Sequence, residues 1–382
     1  MKIQIDGTNI KNKGAELMLY AVLEEIERIY PNAQVYWNDD NYTGDPQQIN
    51  TKINFSKSLG QRLALKLKPF KVTSILRRLH IPYRFLTKYN VVKGLDLMLD
   101  ASGFHYSDQF KISEAYLAEK ERYFNTLKNQ GTKIMLLPQA FGPFETPEGK
   151  KMVGLLSRYC DILFARDSVS YSYLENAGAD MSRIVLTPDF TSLARYEVPK
   201  KWKHVADSIC IIPNKRMVDK GATTLESYTK FLKHTIQTYL DAGEQIVMLN
   251  HEGLEDLQLC EEINKFFGNH LTVISGLTAG EVKGVISISK VTITSRFHGV
   301  ASSLNTHVPC LATSWSHKYQ KLFEDFNQTD CLLDILEPEN NKEKLLLYID
   351  PKCNAKIRLE LKENASKIKI ENQKMWKIIW SK

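Results

Sequence analysis

Short apolar runs alternate with longer amphipathic stretches along most of this chain, and no other sequence feature restricts its fold as much. Strands are expected over residues 2–6, 34–37, 95–101, 133–137, 162–165 and 183–186, with helices over 15–29, 114–129 and 168–176 between several of them. Repeated strand–helix units build a mainly parallel sheet with helices on its faces. Residues 196–203, rich in lysine and holding Pro199, read as a linker. The alternation then restarts, with strands over 208–212, 245–249, 271–274, 291–294 and 310–313 and helices over 224–241, 254–267, 279–288 and 298–304. A chain of 382 residues is too long for one ordinary core and suits two domains. The expected fold is α/β, two Rossmann-like domains facing across a cleft, the first over 1–195 and the second over 205–335. The tail 336–382 is helical and charged, and its late aromatics, Trp376 and Trp380, need a surface to pack on; the first domain is the expected one.

One region breaks the pattern. Between Asp45 and Asp96 there is no acidic residue, while lysines and arginines accumulate among leucines. This basic stretch, about 51–94, fits no strand–helix unit and reads as an insertion. Two readings stay open: a solvated helical insertion kept in solution by its charges, or a contact with an anionic membrane surface. Nucleic acid is not expected, because no nucleic-acid module accompanies the charge. No run approaches the ~18 apolar residues of a membrane span, and residues 1–5 enter a strand without a signal-peptide core. Six scattered cysteines, without CxxC or Cys/His metal spacing, read as buried thiols of a reduced compartment. A cytoplasmic protein, peripheral to the inner face of the plasma membrane if the basic stretch binds it, is expected.

In open α/β sheets chemistry collects outside the carboxyl ends of the strands. The richest such place is Ser295-Arg296-Phe297-His298-Gly299, between the strand 291–294 and the helix that follows. A helix N-terminus favours an anion, an arginine adds a planar fork for carboxylate or phosphate, and an imidazole exchanges protons near neutral pH. Structural roles compete with this: Arg296 paired to a carboxylate, His298 capping the helix. His251 and Glu252 follow the strand 245–249, and Lys215 and Arg216 follow 208–212. His251 as a donor ligand or base stands beside His251 as a loop residue bonded to backbone.

The Arg-x-His-Gly turn, the Pro-containing strand from Val308 to Thr313 and the later Lys318 resemble the polysaccharide pyruvyl transferase family. Other segments resemble it in order along nearly the whole chain: Asn12-Lys13-Gly14, Ala101-Ser102-Gly103, Gln139-Ala140-Phe141-Gly142-Pro143, Arg166-Asp167-Ser168 and Pro188-Asp189. The resemblance implies a GT-B-like fold, phosphoenolpyruvate as donor and co-substrate, and a sugar or lipid-linked oligosaccharide as acceptor. The product it implies is a pyruvate ketal of a cell-surface polysaccharide. It also implies that Arg296 and His298 contact the donor, joined by Phe297 and by a basic residue after the second domain's first strand. That residue is Arg216 or, one position away, Lys215. Lys318 is a further candidate cation, and neither a tightly bound cofactor nor a metal is expected.

His298 is expected to act as general acid, with Arg296 beside it in the catalytic pair. Asn12, Gly14, Ser102, Gly103, His105, Gln139 and Asp189 fall on the acceptor side or structure the cleft. Asp108, Phe104 and Tyr106 follow the same strand as His105 and carry the same two readings, while Glu16 reads as a helix cap near Gly14. The rival functions are a GT-B-type nucleotide-sugar glycosyltransferase and a non-catalytic glycan-binding member of the fold.

Overall fold

A computed structural model describes residues 1–38, 49–50, 53–55, 91–219, 221–314 and 318–381. Its contacts divide the chain into two units, one of Met1–Asn9 and Val22–Thr187, the other of Ile10–Ala21 and Pro188–Lys382. Each is a Rossmann-like α/β unit built on a parallel sheet.

In the first unit the strands are β1 (Lys2–Asp6), β2 (Gln34–Asn38), β3 (Ile53–Phe55), β4 (Leu97–Asp100), β5 (Lys133–Gln139), β6 (Ile162–Ala165) and β7 (Ile184–Leu186). Their spatial order is β3-β2-β1-β4-β5-β6-β7. β4 and β6 are buried along their whole length, the pattern of strands covered on both faces. Helix α1 (Lys13–Ile29) follows β1, and α2 (Glu114–Asn129), α3 (Pro147–Tyr159) and α4 (Ser168–Asn176) follow the later strands. Ser113, Thr146 and Asp167 each accept a hydrogen bond from a first-turn amide of α2, α3 and α4, satisfying a donor that the helix itself leaves open. α2 then buries Leu117, Tyr123, Phe124 and Leu127 on the sheet.

The basic stretch from about 51 to 94, expected to fit no strand–helix unit, holds a short strand. Ile53–Phe55 pairs in parallel with β2 through Val35, Tyr36 and Trp37. Three residues are too few to show a period, so pairing with an existing edge makes this strand. The rest of the stretch, residues 56–90, lies outside the described residues.

In the second unit the order is β10-β9-β8-β11-β12, from β8 (Ile209–Ile212), β9 (Ile246–Leu249), β10 (Thr272–Ile274), β11 (Val291–Thr294) and β12 (Cys310–Ala312). The helices are α5 (Arg216–Asp219), α6 (Leu225–Asp241), α7 (Gly253–Phe266), α8 (Ala279–Ser287), α9 (Phe297–Asn305), α10 (Lys318–Asp325), α11 (Lys342–Ile349) and α12 (Pro351–Ser381). Two apolar clusters cover the sheet, one around Ile209, Ile211 and Met248, the other around Cys210, Ile212 and Val247. Alternate residues of the same strands thus feed opposite faces.

The segment 196–203 is more than a linker. Lys200–Val205 forms a 3-10 turn, Val205 is buried, and Gly284 of α8 has room only for a hydrogen against the Glu197 carbonyl. The long α12 places Leu361, Ala365 and Ile368 in the second unit's core. Further on, Trp376 meets Phe190 edge-on, with ring centroids 6.3 Å apart. Phe190 belongs to the second unit by its contacts, although the sequence alone assigns residues up to 195 to the first domain. No helix among the described residues is long and apolar enough to cross a membrane.

Candidate functional site

Strand order reverses between β8 and β11 in the second unit, and a ligand crevice forms outside the carboxyl ends at such a reversal. Three turns of the second unit converge there: 213–216 after β8, 250–253 after β9 and 295–297 after β11. The first turns of α1 join them, because Ile10–Ala21 belongs to this unit.

Ser295 anchors the β11–α9 turn. Its carbonyl accepts from Asn214 Nδ2 at 2.8 Å and from the Tyr319 hydroxyl at 2.9 Å. Its hydroxyl lies 2.7 Å from Tyr228 Oη and 2.5 Å from Thr313 Oγ1. Gly299 is required one turn on, since any β-carbon there would strike Thr294 Oγ1. This buried network fixes where Arg296 and His298 project.

Arg296 is the N-cap of α9, with no side-chain capping bond. Its guanidinium is divided between two carboxylates, one amino group donating to Glu252 and the other to Asp256, while Nε has no partner among the described residues. Glu252 also accepts from Arg216 at 2.7 Å and from Asn12 Nδ2 at 3.0 Å. Asp256 accepts from the Lys215 backbone amide at 2.9 Å. Two guanidiniums and two carboxylates therefore balance. Burial pushes the Asp256 carboxyl above its ordinary range, with Arg296 opposing that rise.

The two neighbouring basic residues after β8 part ways. Arg216 joins the Arg296 cluster with its side chain 44% exposed, whereas the Lys215 ammonium turns to Asp219 at 3.0 Å. Lys318 is buried, its Nζ 5.8 Å from the Phe297 ring centre. Phe297 meets both His298 and Tyr319 edge-on.

His298 sits against α1. A β-carbon at position 14 would overlap the imidazole, so Gly14 permits this approach. Asn12 caps α1 by accepting from the Gly14 and Ala15 amides, and its own amide group reaches Glu252. Glu16 is buried, paired to Lys13 at 2.5 Å and accepting from Tyr20. On the other side of His298, Nε2 lies 3.7 Å from Asp189 Oδ2. His251 is buried; desolvation, then the charges of Arg296, His298 and Lys13, push it well below the ordinary imidazole range. It is therefore neutral near pH 7, and its Nδ1 has no partner among the described residues.

The remaining candidates lie in the first unit, at its own strand reversal between β1 and β4. Ser102 and Gln139 both hold Asp100: Ser102 donates its amide at 2.9 Å and its hydroxyl at 2.5 Å, and Gln139 donates Nε2 at 3.1 Å. Tyr106 donates to the other Asp100 oxygen at 2.7 Å. Gly103 is buried, with φ of 77°. His105 is exposed and meets Phe104 and Phe110 edge-on. Asp108 is taken up by the start of α3, accepting from the Glu145 and Thr146 amides and the Thr146 hydroxyl.

Sequence reasoning did not name Asp256, Tyr228, Asp6 or Asp100. Glu252 and Asp256 stand four apart at a helix start, so both reach one guanidinium; that spacing was the available signal. Tyr228 carried none, because helical periodicity places it in the core. Asp6 and Asp100 lie at or near the ends of two expected strands, and only the sheet register makes them direct neighbours.

A family model described as polysaccharide pyruvyl transferase matches residues 12–317. Among solved structures, a candidate UDP-N-acetylglucosamine 2-epimerase from Listeria monocytogenes superposes with a TM-score of 0.62 at 11% identity, covering 100% of this chain and 95% of that one. The UDP-GlcNAc 2-epimerase of Methanocaldococcus jannaschii, in complex with UDP-GlcNAc and UDP, gives 0.57 at 12% identity, covering 93% and 94%. Anabaena Alr3699/HepE, in complex with UDP and glucose, gives 0.59 at 13%, covering 100% of both chains. At such identities the likeness concerns the fold, a GT-B-like one.

Proposed function

Because this chain belongs to the polysaccharide pyruvyl transferase family, we propose that it transfers the pyruvyl group of phosphoenolpyruvate to a sugar, forming a ketal. The acceptor is a cell-surface polysaccharide or its lipid-linked precursor, and the reaction runs in the cytoplasm. The observation that carries the donor assignment is the convergence of Arg216, Arg296 and His298 on the strand reversal of the second unit, at the start of α9. Phosphoenolpyruvate bears a carboxylate and a phosphate on one small frame, so its site needs more than one fixed cation and a proton source.

Both arginines are paired to carboxylates, Arg216 to Glu252 and Arg296 to Glu252 and Asp256. Asp256 is fixed by the Lys215 amide and buried, whereas Glu252 sits next to Gly253, whose φ is 63°. An incoming anion therefore competes with Glu252 for Arg216, the more exposed arginine. Arg296, held by Asp256, keeps its fork in place as that exchange happens.

His298 then gives a proton to the terminal methylene, which makes the central carbon electrophilic. An acceptor hydroxyl adds there and returns its proton to the His298 imidazole. The C–O bond to phosphate breaks with its electron pair leaving on phosphate, a neighbouring hydroxyl adds, and its proton departs with the phosphate. One phosphoenolpyruvate and two hydroxyls thus give one cyclic ketal and one inorganic phosphate. Arginines placed before the reaction stabilise the departing charge without reorganising. His251, buried beside Arg296 and His298, is held neutral and resists taking up a proton, so it offers the site a neutral hydrogen-bonding ring.

A nucleotide-sugar reading draws on the UDP and UDP-sugar complexes of the fold's neighbours. Such a reading needs an acidic residue free for a ribose after a second-unit strand; Glu252, in that position, is instead bound by Arg216, Arg296 and Asn12. Phosphate release from phosphoenolpyruvate that depends on added acceptor glycan is the expected result. Thermal protection by UDP-sugars and none by phosphoenolpyruvate would reverse the assignment.

A further inference from the structure

His298 and Asp189 are both second-unit residues, and Asp189 begins a short loop with little regular structure of its own. A 3-10 turn, Phe190–Leu193, follows it. One Asp189 oxygen, Oδ1, is used locally, accepting from the Thr191 amide at 3.0 Å and the Thr191 hydroxyl at 2.5 Å. The other, Oδ2, faces His298 Nε2 at 3.7 Å. That distance suits opposite charges and exceeds a hydrogen bond.

Two distant helices hold the loop in place. Lys283 of α8 is buried and donates to the carbonyls of Thr191 at 2.9 Å and Ala194 at 3.0 Å. Asn372 of α12 is fully buried and donates to the Asp189 carbonyl at 2.8 Å and to Ser192 Oγ at 2.6 Å. Trp376, one turn further, meets Phe190. Asn372 is thus a polar residue among apolar ones on this stretch of α12, which also buries Ile368, Met375 and Ile379. Packing alone gives no reason for an amide there, since a buried polar group costs about 1–3 kcal/mol unless bonded. Both bonds from Asn372 Nδ2 go to the loop that carries Asp189, and to nothing else.

We propose that Asp189 is a positioning residue that orients and charges the His298 imidazole, and that Asn372 is a second positioning residue that sets Asp189. The C-terminal helix, beyond the residues matched by the family model, thereby takes part in the chemistry of the site. Reading the proton transfer through this pair rests on His298 as donor; the pairing itself does not. Among the described residues of this unit, the charged or titratable groups close to His298 include Arg296 on its own helix, Lys13 at the start of α1 and His251 after β9. Lys283 of α8 is committed to the loop carbonyls. Of these, Arg296 and Lys13 oppose a proton on His298 and are themselves paired to carboxylates. Asp189 presents a carboxylate oxygen to the ring nitrogen.

The test follows the ring protons of His298 by NMR across pH in the substrate-free full chain, assigned with His298→Gln. An opposite charge at this range raises an imidazole by roughly one pH unit or more, so Asp189→Asn should lower the midpoint by that much. Asn372→Leu should lower it in the same direction, and the double variant should go little further than Asp189→Asn alone. Asn372→Ser keeps a single donor and serves if the leucine variant does not fold; its midpoint should fall between. In turnover, the alkaline limb of the pH profile should move down with the same midpoints. An unmoved His298 midpoint in Asp189→Asn overturns the pair, and an unmoved midpoint in both Asn372 variants overturns the role of Asn372. Because the titration needs no substrate, a failed pairing is separable from a wrong donor.

Discussion

Replacing Asp6 by asparagine should stabilise the first unit near neutral pH and do little in acid. Asp6 ends β1 and stands directly across from Asp100 at the end of β4. Asp6 accepts from Gln4 Nε2 at 2.8 Å and from the Tyr123 hydroxyl at 2.6 Å. Burial outweighs those bonds and, with the Asp100 charge adding to it, pushes this carboxyl from 3.8 up to about 6. Asp100 goes the other way. Burial alone would raise it, but Lys120 and the bonds from Ser102 and Tyr106 hold it below the ordinary range. One carboxyl of the pair therefore carries the charge and its neighbour resists ionising, as like charges at close range require.

The sign follows from proton counts. Between about pH 4 and about pH 6 the unfolded chain loses the Asp6 proton first, so the folded unit binds more protons and stability falls as pH rises. At about 1.4 kcal/mol per pH unit, the upward displacement amounts to roughly 3 kcal/mol once both states are ionised. Asp6→Asn removes that loss and keeps a carbonyl that can accept from Tyr123. Urea titrations from about pH 4 to about pH 8, read by hydrogen exchange of peptides covering β1 and β4, should show the variant pulling ahead through this window and holding its lead above it. Parallel curves for the two proteins over the whole range would falsify the account of the Asp6–Asp100 pair.

Arg296→Lys should weaken phosphoenolpyruvate use by more than tenfold, because a point charge does not replace a fork holding two carboxylates. It should also lower thermal stability, because an ammonium cannot bond Asp256 and Glu252 at once as the fork does; thermal and kinetic measurements that both stay at wild-type values would remove Arg296 from either role. Gly14→Ala should push the His298 ring aside and lower kcat by about 10²-fold with a smaller change in donor affinity. Unchanged turnover there would mean that His298 is not the proton donor. Deleting residues 56–90 should abolish partitioning to vesicles rich in anionic lipid if the basic stretch binds membranes. Equal partitioning by the shortened chain would leave that stretch no membrane role.

Much of this molecule was legible in the residues alone, and for definite reasons. The strands over 2–6, 162–165 and 291–294 and the helices over 114–129 and 168–176 appear with the expected bounds, because a buried parallel strand and an amphipathic helix write different periods into the chain. The turn at Ser295–Gly299 was marked by its place between such elements. Three contiguous residues at Ile53–Phe55 write no period, so that edge strand depends on β2 being there to receive it. The tertiary structure also decided between adjacent bases, sending Arg216 to Glu252 and Lys215 to Asp219. It filled the Arg296 fork with carboxylates from another turn, paired Asp6 with Asp100 through sheet register, and brought Asn372 to Asp189 across 183 residues of chain. Local pattern fixes which elements form and where a strand must end in a helix. Which side chains then share a charge or a proton depends on contacts remote in sequence, and no periodicity encodes those.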